Sequence, residues 1–336
     1  MKQKVFITGG AGFIGSLLAV TFIRSGWHVV AYDCLRSFVH PHERADYPRR
    51  LEYRLRRVRQ AEEENNGDAQ FKLIEGSICH PELLTRAMRE ANPDIVIHLA
   101  AISIADASQR YLEDALAINQ TGTTNVLNAA RLCDVKRFVY ASSSMTYGDF
   151  VHFPASEDHP TVPLEVYGAS KLCGEIYVRA YHEMFGLEYA IVRPCSVYGP
   201  TDTNMRIVQR FVESGIHGRE IRLFDGGAQL LDFTWVEDTV AGFHLAATHP
   251  AAANETFNIT SGTARTLRDL AEIARIHFPD LRVINCETRD PVKRTLRGAL
   301  DVNKARRMLG YEPRTFLDDG FARYVAFCRE HEYAGV

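Results

Sequence analysis

Apolar residues in this chain fall into short runs separated by amphipathic stretches. "KVFIT" at residues 4–8 is rich in β-branched and aromatic side chains and runs into glycines, which predicts a buried strand. "GFIGSLLAVTFIRSG" follows with the apolar spacing of a helix. "HVVAYD" predicts a second strand, ending at Asp33. The alternation continues through a strand in "AQFKLIEGSI", a helix over about 81–91, a strand in "DIVIHLAA" and a helix over about 108–132. A strand in "RFVYASS", a helix over about 165–185 and a strand in "LEYAIVRP" complete it. Strands alternating with helices predict an α/β fold whose parallel sheet is covered on both faces, a doubly wound arrangement.

Beyond residue 186 the rhythm loosens. A helix at about 204–215, a short strand "EIRLF", a glycine turn "DGG" and the stretch "LLDFTWVEDTVAGFHLAAT" follow, the last reading as a strand entering a helix. "ETFNIT" predicts a strand, and "TLRDLAEIARIHF" and "DVNKARRMLGY" predict amphipathic helices. Residues 1–185, with a return segment near 235–260, are expected to form a nucleotide-binding domain. Residues 186–234 and 261–330 are expected to form a smaller, interleaved C-terminal domain for the substrate.

Residues 36–68 interrupt the pattern. Six arginines stand between 49 and 59, followed by Glu62, Glu63 and Glu64, and the middle reads as helix. The favoured reading is a solvated helix with charge-paired faces. The other is a flap whose arginines reach a phosphate or carboxylate.

Composition excludes more than it assigns. The 336 residues are 46% hydrophobic with a net charge of −3, so a packed core is expected and nucleic acid is not an expected partner. No apolar run reaches 18 residues and the N-terminus does not resemble a signal peptide, so no membrane span is expected. Seven scattered cysteines without a CxxC pair predict reduced thiols in a cytoplasmic protein and no metal site.

The chemistry gathers at strand ends. Gly9, Gly12 and Gly15 follow a strand and open a helix, the context in which backbone N–H groups approach a pyrophosphate in a Rossmann-type fold. Asp33 can accept both adenosine ribose hydroxyls and repels an extra phosphate there, which favours NAD over NADP, although Arg36 stands close by. Tyr167 and Lys171, four apart, share a helix face. An ammonium there favours phenolate, which can take a proton from a sugar hydroxyl as NAD takes a hydride. Ser143, at a strand end, can hydrogen-bond the same oxygen. His98 reads as a packed residue, and Asn119 as a polar break in its helix that supports the site.

These residues, with "TGGAGFIGS", "HLAA", "NQTGTTNVLNAA", "SSSMTYGD", "YGASK", "RPCSVYGP", "DFTWVEDTVAGFHLA" and "LDVNKARRMLGY", resemble the extended short-chain dehydrogenase/reductase family over nearly the whole chain. The branch is that of nucleotide-sugar epimerases, dehydratases and decarboxylases. The resemblance implies tightly held NAD, oxidation at C4 of the sugar, Tyr167 as base, Lys171 as its partner and Ser143 as the hydrogen-bonding hydroxyl. It implies cofactor contacts from Gly9, Gly12, Phe13, Ile14 and Gly15 in the glycine turn. Asp33, Ser77, Ile78, Leu99, Ala100 and Ala101 would add to these, with Asn119 and Pro194. Ser77 stands where relatives often carry Asp. The resemblance also implies a homodimer through a four-helix interface.

On the substrate side the expected contacts are Ser144, Met145, Cys195, Ser196, Asn204 and Arg206. Leu231 stands where relatives place a phosphate-binding arginine, so "DPVKRTLRGALD" is expected to compensate, through Arg294 first and Arg289 next. Relatives that eliminate water or invert C5 carry an acid or cysteine near Met145, and a thioether moves no proton. The expected reaction is therefore C4 epimerisation of a UDP-sugar, either UDP-glucuronate or a UDP-hexose. A dehydratase or decarboxylase using Cys195, His152 or His159 as proton shuttle is the alternative, and a catalytically silent NAD-binding protein a further one.

Overall fold

A computed structural model describes residues 2–36, 47–286 and 295–331 of the chain. Six parallel strands arise from the apolar runs: β1 (Lys4–Thr8), β2 (His28–Asp33), β3 (Phe71–Glu75), β4 (Ile95–His98), β5 (Arg137–Ala141) and β6 (Glu188–Pro194). The short strands β7 (Val197–Tyr198), β8 (Ile221–Phe224), β9 (Leu230–Asp232) and β10 (Thr234–Trp235) follow. Then come β11 (Glu255–Ile259), β12 (Ala264–Thr266) and β13 (Val283–Cys286). The main sheet has the order β11-β6-β5-β4-β1-β2-β3, the Rossmann-like arrangement that the alternation predicts. Thr8 pairs with Tyr32 on one side and His98 on the other, so these strand ends form one carboxyl edge.

The helices are α1 (Phe13–Arg24), α2 (Tyr47–Glu64), α3 (Pro81–Ala91), α4 (Ala105–Arg110), α5 (Leu112–Leu116) and α6 (Thr123–Leu132). After them come α7 (Val166–Phe185), α8 (Ile207–His217), α9 (Val236–Thr248), α10 (Leu267–His277), α11 (Asn303–Leu309) and α12 (Leu317–Glu330). One apolar cluster packs Val5, Ile7 and Ile97 against α1 and α9; another packs Phe6, Val96 and Phe138 against α3, α6 and α7. Each such buried Val, Ile or Phe contributes about 1.5–3 kcal/mol. A separate core joins α8, α10 and α12 through Phe211, Leu270 and Phe321.

Two expectations need correction. The helix expected over 108–132 is broken into α4, α5, a π-helical turn at Ala117–Gly122, and α6. The interruption is at Tyr111 (φ −115°, ψ 62°), while Asn119 sits in the π-helical turn, where its Oδ1 accepts from Ile102 N at 2.8 Å and its Nδ2 donates to Ser170 Oγ at 3.2 Å. The favoured solvated reading of the arginine-rich helix holds for one face, where Arg49, Arg56, Arg59 and Glu63 are exposed, and fails for the other. Arg50, Arg54, Val58 and Ala61 form a buried stripe on α2, whose partners lie far away in sequence. Arg50 pairs with Glu213 at 3.1 Å and donates to the Asp202 carbonyl oxygen.

Candidate active site

A cavity of about 910 Å³ opens along the carboxyl edge of the sheet. At its floor the chain turns from β1 into α1. Gly9 has φ +70°, and a Cβ there would meet Ala100 N at 2.9 Å. The first-turn N–H groups of α1 have no partners within the helix and face the cavity, the geometry that suits a phosphate. Phe13, Ile14, Gly12 and Gly15 line it too. Asp33 Oδ2 accepts from Ala11 N at 3.0 Å and Oδ1 from Leu35 N at 2.8 Å. Burial pushes its carboxyl up, against those N–H groups and the more distant Arg54. Ser77, Ile78, Leu99, Ala100, Ala101 and Pro194 complete the lining on this side. A glycine turn, helix amides and a ribose-side carboxylate in one cleft fit a dinucleotide.

β5 ends at Ala141, and Ser143, Ser144 and Met145 turn into the cavity opposite α7. Helix α7 approaches β5 closely because residue 174 is glycine; a Cβ there would lie 2.0 Å from the Tyr140 hydroxyl. Tyr167 and Lys171 both line the cavity, with Lys171 Nζ 5.9 Å from the Tyr167 ring centroid. Lys171 Nζ donates to the Ala141 carbonyl at 2.7 Å, and burial drags its pKa down to about 7. The expected lowering of the phenol by Lys171 is not met. Burial raises Tyr167, and the groups that oppose this are the Arg206 guanidinium and the Ser143 hydroxyl. Tyr167, Ser143 and Lys171 thus line the same cavity at the junction of β5 and α7.

Behind this wall lies a buried ion pair. Glu175, one turn beyond Lys171, receives Arg193 Nε at 2.8 Å and Nη2 at 2.7 Å. Ser142 Oγ donates to the same carboxylate at 2.5 Å. These bonds hold the carboxyl below its usual range despite burial. They fix α7 to the segment that carries Ser143.

The opposite wall comes from residues 203–210, 222–231 and 295–297. Ser196, Asn204 and Arg206 line it as expected. Arg206 Nη1 bonds Asp202 Oδ1 at 3.0 Å and Nη2 bonds Ser103 Oγ at 3.3 Å. Leu231 is buried in this wall and leaves it without a cation at that position. Arg297 supplies one: it lines the cavity, and its buried Nε has no partner among the described residues. Arg289 and Arg294 lie outside the described residues.

Several assignments change. Cys195 turns away from the cavity into a cluster with Tyr147, Phe150, Ala155 and Leu300, and burial raises its thiol. Asn119 is buried beside Ser170 and acts on the cavity only through Ile102 and α7. His159 accepts from Val151 N at 2.9 Å and stacks on His152, and neither lines the cavity. His98 bridges Thr8 and Thr123 at 2.7 and 3.0 Å, and burial lowers its pKa to about 3, so it is a packed neutral residue. Arg54 lines the cavity, as the less favoured reading of the arginine-rich helix allowed, and Glu165, which was missed, lines it too. Glu165 sits two residues before Tyr167, a position that the Met145 argument did not weigh. Among the described residues no cluster of His, Cys, Asp or Glu could hold a metal, and no helix is long and apolar enough to cross a membrane.

Known proteins share this architecture along its full length. The UDP-glucose 4-epimerase of Mycolicibacterium smegmatis is 31% identical over 97% of this chain and 99% of its own. A dTDP-glucose 4,6-dehydratase of an Actinoplanes species is 30% identical over 97% of this chain and 98% of its own. The solved UDP-glucuronic acid 4-epimerase of Bacillus cereus, in complex with UDP-glucuronic acid and NAD, superposes with a TM-score of 0.84 at 25% identity, covering 98% of this chain and 99% of that one. The family model described as "NAD dependent epimerase/dehydratase family" matches residues 5–260, and the chain belongs to that family.

Proposed function

We propose that this protein inverts C4 of a UDP-sugar. The carrying observation is the cavity corner in which Ser143, Tyr167 and Lys171 meet while the neighbouring position is a thioether, Met145. Tyr167 takes the proton of the C4 hydroxyl, Ser143 donates a hydrogen bond to that oxygen, and Lys171 orients the pair. Bound NAD supplies the hydride acceptor and, after the 4-ketosugar has turned its other face, the donor. Met145 itself offers no proton for C5, which favours change at C4 alone. Arg206, whose charge reaches Tyr167, favours a substrate with a carboxylate at C6, such as UDP-glucuronate, over a neutral UDP-hexose. Arg297 supplies the phosphate contact that Leu231 lacks.

Glu165 supports a second reading, a dehydratase, because a cavity carboxylate can carry the C5 proton. Proton NMR in D2O, with NAD and either UDP-glucuronate or the UDP-hexoses, separates the two. Inversion at C4 without deuterium at C5 is the expected result. Deuterium at C5 with loss of water would replace the epimerase by the dehydratase, and Glu165→Gln would then abolish the exchange. The exposed apolar side chains Leu112, Leu116, Ile176, Tyr177 and Phe185 on α5 and α7 support a homodimer; a monomer in sedimentation equilibrium would remove that part. Seven unpaired thiols fit a cytoplasmic setting.

A further inference from the structure

Helix α2 carries a buried charge that its protein neighbours do not neutralise. Arg54 is 3% exposed and lines the cavity beside the glycine turn. Its hydrogen-bond partners are all neutral oxygens. Nε donates to Thr201 Oγ1 at 3.4 Å, Nη1 to the Ala11 carbonyl at 3.4 Å, and Nη2 to Thr203 Oγ1 at 3.4 Å and to the Thr201 carbonyl. Among the described residues no carboxylate lies within ion-pair distance of it. Asp202, buried nearby, spends Oδ1 on Asn204 N and Arg206, and its Oδ2, which has no hydrogen-bond partner among the described residues, acts on Arg54 only from beyond ion-pair distance. Burial lowers the Arg54 pKa to about 10 although Tyr47, Asp202 and Asp33 pull it up from farther off. Arg50, one turn earlier on the same stripe, is equally buried but answered by Glu213.

A desolvated guanidinium without a close counter-charge is strongly unfavourable, so such a residue persists where an anion completes it. The chemistry of that anion follows from position. The Ala11 carbonyl belongs to the glycine turn, whose helix amides suit a phosphate. Asp33 occupies the ribose side and disfavours a further negative group there. The geometry points to Arg54 as a ligand of the pyrophosphate of the dinucleotide, reaching across the glycine turn from the inserted helix. Through Thr201 and Thr203 the same side chain joins the bound nucleotide to the segment that carries Asn204 and Arg206. This role does not depend on which sugar is turned over.

The test compares full-length wild type with Arg54→Gln and Arg54→Lys, using adenosine, ADP, ADP-ribose, NADP and UDP as probes in calorimetric titration. NAD content of the purified chains is measured alongside. Arg54→Gln is expected to weaken ADP and ADP-ribose about 10- to 100-fold, as loss of a charged hydrogen bond does, with adenosine and UDP within about 2-fold. Arg54→Lys is expected to fall between, and co-purified NAD to drop in the same order. Equal weakening of adenosine and ADP would make Arg54 purely structural and overturn the proposal. A loss confined to NADP would assign it to the 2′-phosphate, and a loss for UDP equal to that for ADP would assign it to the sugar nucleotide; either overturns it. Should Arg54→Gln not fold, Arg54→Lys with unchanged ADP affinity overturns it as well, since a point charge in place of a fork loses geometry.

Discussion

The two long walls of the cavity treat buried charge in opposite ways. On the wall built by β5 and α7, Arg193 is gripped by both oxygens of Glu175, and Lys171 is held by a backbone carbonyl. On the floor, Arg54 meets only neutral oxygens beside the glycine turn; on the facing wall Arg206 shares Asp202 with a backbone N–H, and Arg297 Nε has no partner among the described residues. These cations retain capacity for groups outside the chain. A buried guanidinium is therefore not one kind of feature. Paired, it ties the fold together; without a close carboxylate and beside a cavity, it is a candidate binding residue.

The largest effect that bears on this contrast is chemical. Tyr167→Phe removes a hydroxyl from the wall built by β5 and α7 and changes no charge. Turnover of the UDP-sugar is expected to fall about 10²- to 10⁴-fold, with ADP-ribose affinity unchanged. Activity within tenfold of wild type would move the proton transfer elsewhere, Glu165 being the nearest alternative in sequence. Next comes Glu175→Gln, which strands Arg193. Unfolding in urea is expected to show a loss of about 3–5 kcal/mol, because an uncompensated buried charge remains. A loss below about 1 kcal/mol would erase the distinction between the walls.

Lys171 is the intermediate case, a buried cation with a neutral partner, and pH reveals it. Its pKa falls from 10.5 when exposed to about 7 in the fold. Below pH 7 both states hold the proton, and the full penalty of burying the ammonium applies. Between the two values the unfolded chain binds more protons, so stability rises with pH. Lys171→Met is expected to be the more stable chain near pH 6 without added nucleotide, and the gap should shrink steadily toward pH 10. Paired urea titrations measure it, and a constant gap would mean that Lys171 is not desolvated.

Much of this was written in local pattern. The strands of the main sheet, the glycine turn and the Tyr167–Lys171 face follow from short-range spacing, which the fold did not override. Cys195 and Ser196 follow the end of β6, and Ser196 has φ +40°, so the pleat of the strand does not decide which of the two faces the cavity. One error was avoidable by the same rules. Arg50, Arg54, Val58 and Ala61 are spaced as one helix stripe, and the apolar end of that stripe marked its charged end as buried. Asn119 marked the place of the π-helical turn but not its form, and the partners of Arg54 carry no local mark at all. Both depend on Ile102, Ser170 and Thr201 meeting residues distant in sequence.

The last strand to join the main sheet has a consequence for how the chain is made. β11 pairs with the C-terminal part of β6, register running from Glu255 opposite Ala190 to Ile259 opposite Pro194. Until residue 259 has emerged from the ribosome, β6 presents an open row of backbone donors and acceptors at a sheet edge. Arg50 and Arg54 likewise wait for residues 201–213. The nucleotide-binding half cannot mature ahead of the rest during synthesis, and a fragment cut after β6 would carry a sticky edge in place of a finished domain.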